Sequence, residues 1–351
     1  MVSKRVGIAV TDSQSRAQDS ISLSVVIVPV GGPEFVCRCL TALLAQSPDH
    51  VEEIVVPHDA QAAGYDLLAG SFPAVTFLPV ECDSVPSGRR HYVAQHEVHD
   101  TLKARGMNAC QGEIVALIED TVIPDNDWSA QVVMAHQLPH AVIGGAVEYA
   151  GRGLLGWAIY FMDFGRYALP LTEGSQPALT DVNVSYKAAA LAANRGLWRH
   201  RYHETELHTG LAQRGATLWL RPQIVVRQNR GHLVFSEAMR ERFQWGWVYG
   251  AKRATMVRRS TRAVLILLSP AIPLVRLARL AQKALTNKQL GGRFISALLY
   301  LLPLTLAWSC GELYGYLRPA KDGPVTEKPL PGPPARNTAE QREEQASHGV
   351  H

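Results

Sequence analysis

Within the first 120 residues, four short β-branched runs (22–30, 53–56, 75–80 and 113–118) alternate with helical stretches, and this alternation constrains the fold most. Turn-forming or acidic residues close three of them: Pro29-Val30-Gly31-Gly32 after the first, Pro57-His58-Asp59 after the second and Glu119-Asp120 after the fourth. Such runs read as buried strands. Residues 34–46 place apolar side chains at 35, 36, 39, 40, 43 and 44, the spacing of an amphipathic helix. Residues 91–105 read as a polar helix closed by Gly106. Strands separated by helices imply an α/β fold with a mostly parallel sheet flanked by helices. Residues 141–148 continue the strand pattern, and 205–214 read as a short helix stopped by Gly215. Residues 217–220 and 224–226 read as two short strands.

Charge divides the chain differently. From Arg242 to Gly311 there is no Asp or Glu, yet eleven basic residues fall there: Arg242, Lys252, Arg253, Arg258, Arg259, Arg262, Arg276, Arg279, Lys283, Lys288 and Arg293. The whole chain is only +4, so the remainder is net acidic. A basic third suits a negatively charged surface. Its aliphatic runs favour an anionic membrane surface, and no nucleic-acid partner is expected. Residues 263–275 are short for a span and contain Pro270 and Pro273, while 294–311 are uncharged but broken by Pro303. Between them, Arg276, Arg279, Lys283, Lys288 and Arg293 recur with Leu277, Leu280 and Leu285, which fits an interfacial helix. A soluble helical subdomain is the alternative.

The expected organisation is a loose leader (1–20) without a signal-peptide core, an α/β domain (21–240), a basic apolar helical region (241–317) and a proline-rich disordered tail (318–351). With 47% hydrophobic and 19% charged residues, the chain as a whole is neither disordered nor a small disulfide scaffold. Five cysteines without CxxC spacing indicate neither a zinc site nor a disulfide framework, and so a reducing compartment.

Ligands of open α/β sheets bind at the carboxyl ends of strands. Asp59 and the Glu119-Asp120 pair stand at two such ends, a plausible place for a nucleotide and its metal. Two acids directly after an apolar run are costly without a cation to pair them, and Mg²⁺ or Mn²⁺ prefers carboxylate oxygens. A turn-forming role is the plainer alternative for each. The turn after the first strand lacks the GxGxxG of dinucleotide enzymes, which sets a nicotinamide oxidoreductase behind. His91, His96 and His99 lack the Glu of an HExxH motif and read as solvated or capping residues.

The order Ser-Val-Val-Ile-Val-Pro-Val (24–30), Glu-Ile-Val-Val-Pro-His-Asp (53–59), Arg-Gly-Met-Asn-Ala-Cys-Gln-Gly-Glu-Ile-Val-Ala-Leu-Ile-Glu-Asp (105–120), Asp-Val-Asn-Val-Ser-Tyr-Lys (181–187) and His-Glu-Thr-Glu-Leu (203–207) resembles the family 2 glycosyltransferases of the GT-A fold. The resemblance implies a nucleotide-diphosphate sugar donor. It puts Asp59 at the base, Arg105 near the nucleotide or its phosphates, and Glu119, Asp120 and Thr121 at the acids that bind ribose and a divalent cation, Mn or Mg. Thr121 replaces the third acid, and His58 the first of the strand-two pair. The family's catalytic base falls on Glu204, with Glu206 as a second candidate. Asn183 matches the acceptor-side Asn, while Gln228 and His232 compete for the place of a metal-reaching His. In such an inverting transfer one carboxylate deprotonates the acceptor hydroxyl.

The closing Trp-Ser-Cys-Gly-Glu-Leu-Tyr-Gly-Tyr-Leu is similar to the end of membrane-associated bacterial members. That implies a lipid-linked or cell-surface glycan acceptor in cell-envelope glycan biosynthesis, at the cytoplasmic face of the membrane. The departures at 58 and 121 leave a second class open: a homologue without catalysis that serves as a membrane-bound binding or scaffold subunit.

Overall fold

The centre of the sheet is β1 (Leu23–Val28), six residues buried on both faces, which is why the run shows no polar alternation. The computed structural model describes residues 21–46, 50–82 and 91–318. The expected leader, and the expected tail beyond Arg318, lie outside them. α1 (Pro33–Leu44) follows β1 and buries Val36, Cys39, Leu40 and Leu43. β1 pairs in parallel with β2 (Glu53–Asp59) on one side and β4 (Ile114–Glu119) on the other. α2 (Tyr65–Ser71) leads into β3 (Thr76–Val80), which extends the parallel half beyond β2.

The other half reverses direction. β8 (Asn183–Lys187) lies antiparallel between β4 and β6 (Val142–Tyr149). β6 runs parallel to β9 (Leu218–Gln228), and β9 also pairs with β5 (Val122–Pro124) and the short β7 (Gly174–Ser175). The sheet is therefore mixed, in the order β3-β2-β1-β4-β8-β6-β9-β5, with helices around it.

Two expectations need correction. Gly106 does not end its helix: α3 runs from His91 to Ala109. A Cβ at 106 would lie 2.5 Å from Val26 Cγ1, so the glycine lets the helix press onto β1. Residues 218–226 belong to one strand, β9, rather than two. Pro222 sits where the register with β6 shifts, Gly144 pairing with Leu220 but Ala146 with Val225, so its missing N–H falls within an irregularity.

The basic third is built onto the sheet domain. α8 (Phe235–Met256) passes uninterrupted through the expected boundary at 240–241. Arg242, buried on α8, makes two hydrogen bonds to Asp163 of α5 (Leu154–Phe164), at 2.5 and 2.8 Å. α9 (Arg259–Leu268) and α10 (Ile272–Thr286) are joined by a single turn containing Pro270. α11 (Lys288–Leu317) then returns along α8. Glycines four apart on each helix make the approach possible: a Cβ at Gly246 would lie 2.0 Å from the Trp308 carbonyl oxygen, and one at Gly311 2.0 Å from that of Phe243. Trp247 packs edge-on against Tyr314.

Ala297, Leu301 and Leu304 bury one side of α11, while Ile295, Leu299, Leu302 and Leu306 leave another exposed. Val264, Leu267 and Leu268 of α9, with Leu274 and Val275 of α10, are exposed as well. By length and composition, Arg259–Thr286 and Gln289–Leu317 are each long and apolar enough to cross a membrane.

Candidate active site

Ligands of open α/β sheets bind at the carboxyl ends of parallel strands, and here β1, β2 and β4 end along one edge. Asp120, one residue past β4, is 2% exposed. One oxygen accepts from the backbone N–H of Val30 and Gly31, both at 2.9 Å, and the other from Gly31 and Gly32, both at 3.0 Å. Gly32 has φ 101°, a conformation that favours glycine. The turn thus folds three amides around one carboxylate at the start of α1, which favours its charge, but burial outweighs them and pushes Asp120 up to about 7.

Beside it lies a buried ionic group. Lys103 projects from α3 and its ammonium is fully enclosed. It donates to Glu119 at 3.2 Å and to Asp181, in the turn before β8, and it sits 5.8 Å from the centre of the Tyr202 ring. Burial alone would push this ammonium toward neutrality, but the Asp181, Glu119 and Asp100 carboxylates reverse that and hold it charged. Lys103 in turn holds Asp181 below the usual carboxylate range in spite of its burial.

Glu204 opens α7 (Glu204–Gln213), and its Oε2 accepts the Asp181 backbone N–H at 3.1 Å. Burial, with the Asp181 carboxylate beside it, pushes Glu204 up to about 8. Below it runs a buried network: the Tyr186 hydroxyl lies 2.8 Å from that of Tyr202 and 2.8 Å from His208 Nε2. Strand β8, helix α7 and the Tyr202 turn are pinned together under the carboxylate. With its value near 8, Glu204 is mostly protonated below that pH and can accept a proton only in its ionised form.

The remaining expected residues separate. Asp59 ends β2 on the same edge and caps its own turn, accepting from the Gln61 N–H at 3.0 Å; neighbouring His58 stacks on Tyr65. Arg105 is exposed, two residues and so about 200° around the helix from Lys103. The cation that α3 turns toward the site is therefore Lys103, not Arg105. Asn183 is buried and spends its amide inside the sheet: Nδ2 donates to Ala146 O (2.9 Å) and Ile224 O (3.0 Å), and Oδ1 accepts from Trp128 Nε1 (3.0 Å). These bonds lock neighbouring strands together. Glu206 is exposed and lies 3.4 Å from Lys252 of α8, a surface pair.

His96 packs edge-on against Trp245 of α8 and lies 3.6 Å from Asp100, with its side chain 41% exposed, while burial pushes the His99 ring well below the usual histidine range. Gln228 is buried in β9, whereas His232 lines an open cleft of about 720 Å³ with Phe35, Arg38 and Leu67.

A divalent cation needs several uncommitted oxygens. Both oxygens of Asp120 are taken by amides, Glu119 faces Lys103, and position 121 is threonine. Among the described residues, no group of three or more His, Cys, Asp or Glu is placed to hold a metal ion. The metal role expected of Glu119 and Asp120 does not fit this arrangement.

No family model matches the chain, and no curated protein matches it. Among solved structures it is similar to the mannosyltransferase PcManGT from Pyrobaculum calidifontis in complex with GDP-Man and Mn2+, at 16% identity and a TM-score of 0.44, over 80% of this chain and 86% of that one.

Proposed function

We propose that the chain is an inverting, family 2-type glycosyltransferase that moves a sugar from a nucleoside-diphosphate sugar to a lipid-linked or cell-surface glycan acceptor. The observation that carries this reading is Glu204: a carboxylate at the catalytic edge, raised to about 8, next to the buried Lys103–Asp181 pair. Glu204 takes the proton of the acceptor hydroxyl, whose oxygen attacks the anomeric carbon as the bond to the departing diphosphate breaks. Attack opposite the leaving group inverts that carbon. The donor lies along the ends of β1, β2 and β4, with Asp59 toward the base.

The exposed leucines and valines of α9, α10 and α11, together with the basic residues around them, suit the cytoplasmic face of an anionic membrane. Because α11 buries one side against α5 and α8, these helices lie on the bilayer rather than standing free in it. A second reading, a binding subunit of the same fold without turnover, is favoured by the commitment of Asp120 to the backbone.

A panel of UDP-, GDP- and dTDP-sugars tests donor binding. A ligand at 100 times its Kd adds about 2.7 kcal/mol, so one class of donor raises the unfolding midpoint of the full chain. If no sugar nucleotide shifts the midpoint, the transferase reading fails. A shift without release of nucleoside diphosphate, in the presence of lipid extracts, selects the binding subunit.

A further inference from the structure

A cavity of about 330 Å³ lies between the 166–178 segment after α5 and the end of α10. Arg166, Tyr167, Pro170, Gln176, Leu220 and Lys283 bound it, and no Asp or Glu lines it among the described residues. Lys283 donates to the Arg166 carbonyl and Asn287 to that of Leu169 at 2.7 Å, so α10 is fastened to this turn. Lys283 is thereby held beside the hollow, and the Arg166 guanidinium lies over the Tyr167 ring and donates to its hydroxyl, so two cations border the same cavity. Burial and the Arg166 charge push the Lys283 ammonium down to about 8, a repulsion that a bound anion would relieve.

The cavity joins two regions of the molecule. On one side Tyr167 is buried and donates to the Ala178 carbonyl at 3.3 Å, and the Arg166 charge is close enough to Glu204 to favour its ionised form. On the other side, α10 carries Leu274, Val275 and Leu285 into solvent, at 69%, 47% and 54% exposure. We propose that this cavity binds the phosphate group of a lipid-borne acceptor, with Arg166 and Lys283 as its cationic partners and the hydrocarbon chain leaving along the exposed side of α10. A planar guanidinium fork and a point-charge ammonium are both suited to phosphate oxygens. A phosphate fixed there keeps the lipid at the membrane-facing helices and directs the acceptor hydroxyl toward Glu204. The acceptor role rests on the transferase reading above; the binding itself does not.

Calorimetric titration of the full chain, in a zwitterionic detergent, with decyl phosphate, decanol and inorganic phosphate tests this. Lys283→Gln keeps a donor for the Arg166 carbonyl but removes the charge, and Arg166→Gln removes the other cation independently. Arg279→Gln takes the same charge from an exposed site on α10 outside the cavity. Each cavity variant should weaken decyl phosphate binding about tenfold or more, while Arg279→Gln stays within about twofold. Decanol should not bind, and inorganic phosphate should bind far more weakly than the ester.

Unchanged binding in both cavity variants overturns the proposal, as does an equal loss in Arg279→Gln, which would mean diffuse attraction to a basic surface. Inorganic phosphate binding as tightly as decyl phosphate would assign the cavity to a free anion and overturn the lipid source. If decyl phosphate binds as expected while no sugar nucleotide does, the lipid-phosphate site stands and the transferase reading falls.

Discussion

Glu204→Gln lowers turnover by about 10²–10⁴-fold while donor binding stays intact, the usual weight of a positioned general base. The amide still accepts from the Asp181 N–H, so the turn before β8 keeps its shape. What is lost is the ability to take a proton. The folded-state value of Glu204 is raised above that of an unfolded glutamate, so its ionisation works against the fold as pH rises from about 4.5 toward 8. The glutamine variant should therefore be no less stable than the parent at pH 8. Nucleoside-diphosphate release and donor titration, run on the same preparation, check both halves. Turnover within a few fold of the parent would reduce Glu204 to an acid that complements the start of α7.

Lys103→Met destabilises the chain by roughly 3–5 kcal/mol, because it strands two partly buried carboxylates that now share one ammonium. The side chains of Lys103, Glu119 and Asp181 are 1%, 16% and 15% exposed, so water cannot replace the lost partner cheaply. Lys103 holds Asp181 below the ordinary carboxylate value, so this part of the stability is present above that value and is lost as pH falls through the depressed one. The deficit should accordingly be largest near neutrality and shrink in acid. Urea unfolding followed by tryptophan fluorescence, at pH 7 and at a pH well below the ordinary aspartate value of about 3.9, measures it. A difference below about 1 kcal/mol at pH 7 would mean that the pair behaves as a surface ion pair.

The parallel half of the sheet was legible because β1, β2 and β4 are buried on both faces, and such strands appear as uninterrupted β-branched runs. The reversed half was not. The placement of β8 between β4 and β6 depends on pairings between residues far apart, which local pattern does not encode. The motif points to Glu204 and the 181–187 segment to Asn183, but the residue of that segment that meets Lys103 is Asp181. Lys103 itself was missed because α3 has little apolar periodicity. A signal existed: His96, His99 and Lys103 recur at i, i+3 and i+7, one face of a helix. Arg105 lies off that face. The contact between α8 and α11 was likewise present in the spacing of Gly246, Gly250, Gly311 and Gly315, although only a long-range pairing gives that spacing a meaning.

The pH dependence of turnover tests the role of Glu204 most directly. A base must be ionised to accept a proton, and burial raises Glu204 to about 8, so activity is lost as pH falls below that value. With saturating donor and acceptor, kcat should rise about tenfold per pH unit on the acid side, level off above about 8, and lose this limb in the residual activity of Glu204→Gln. A profile that is flat between about pH 6 and 9, or the same limb persisting in the glutamine variant, would contradict Glu204 as the base.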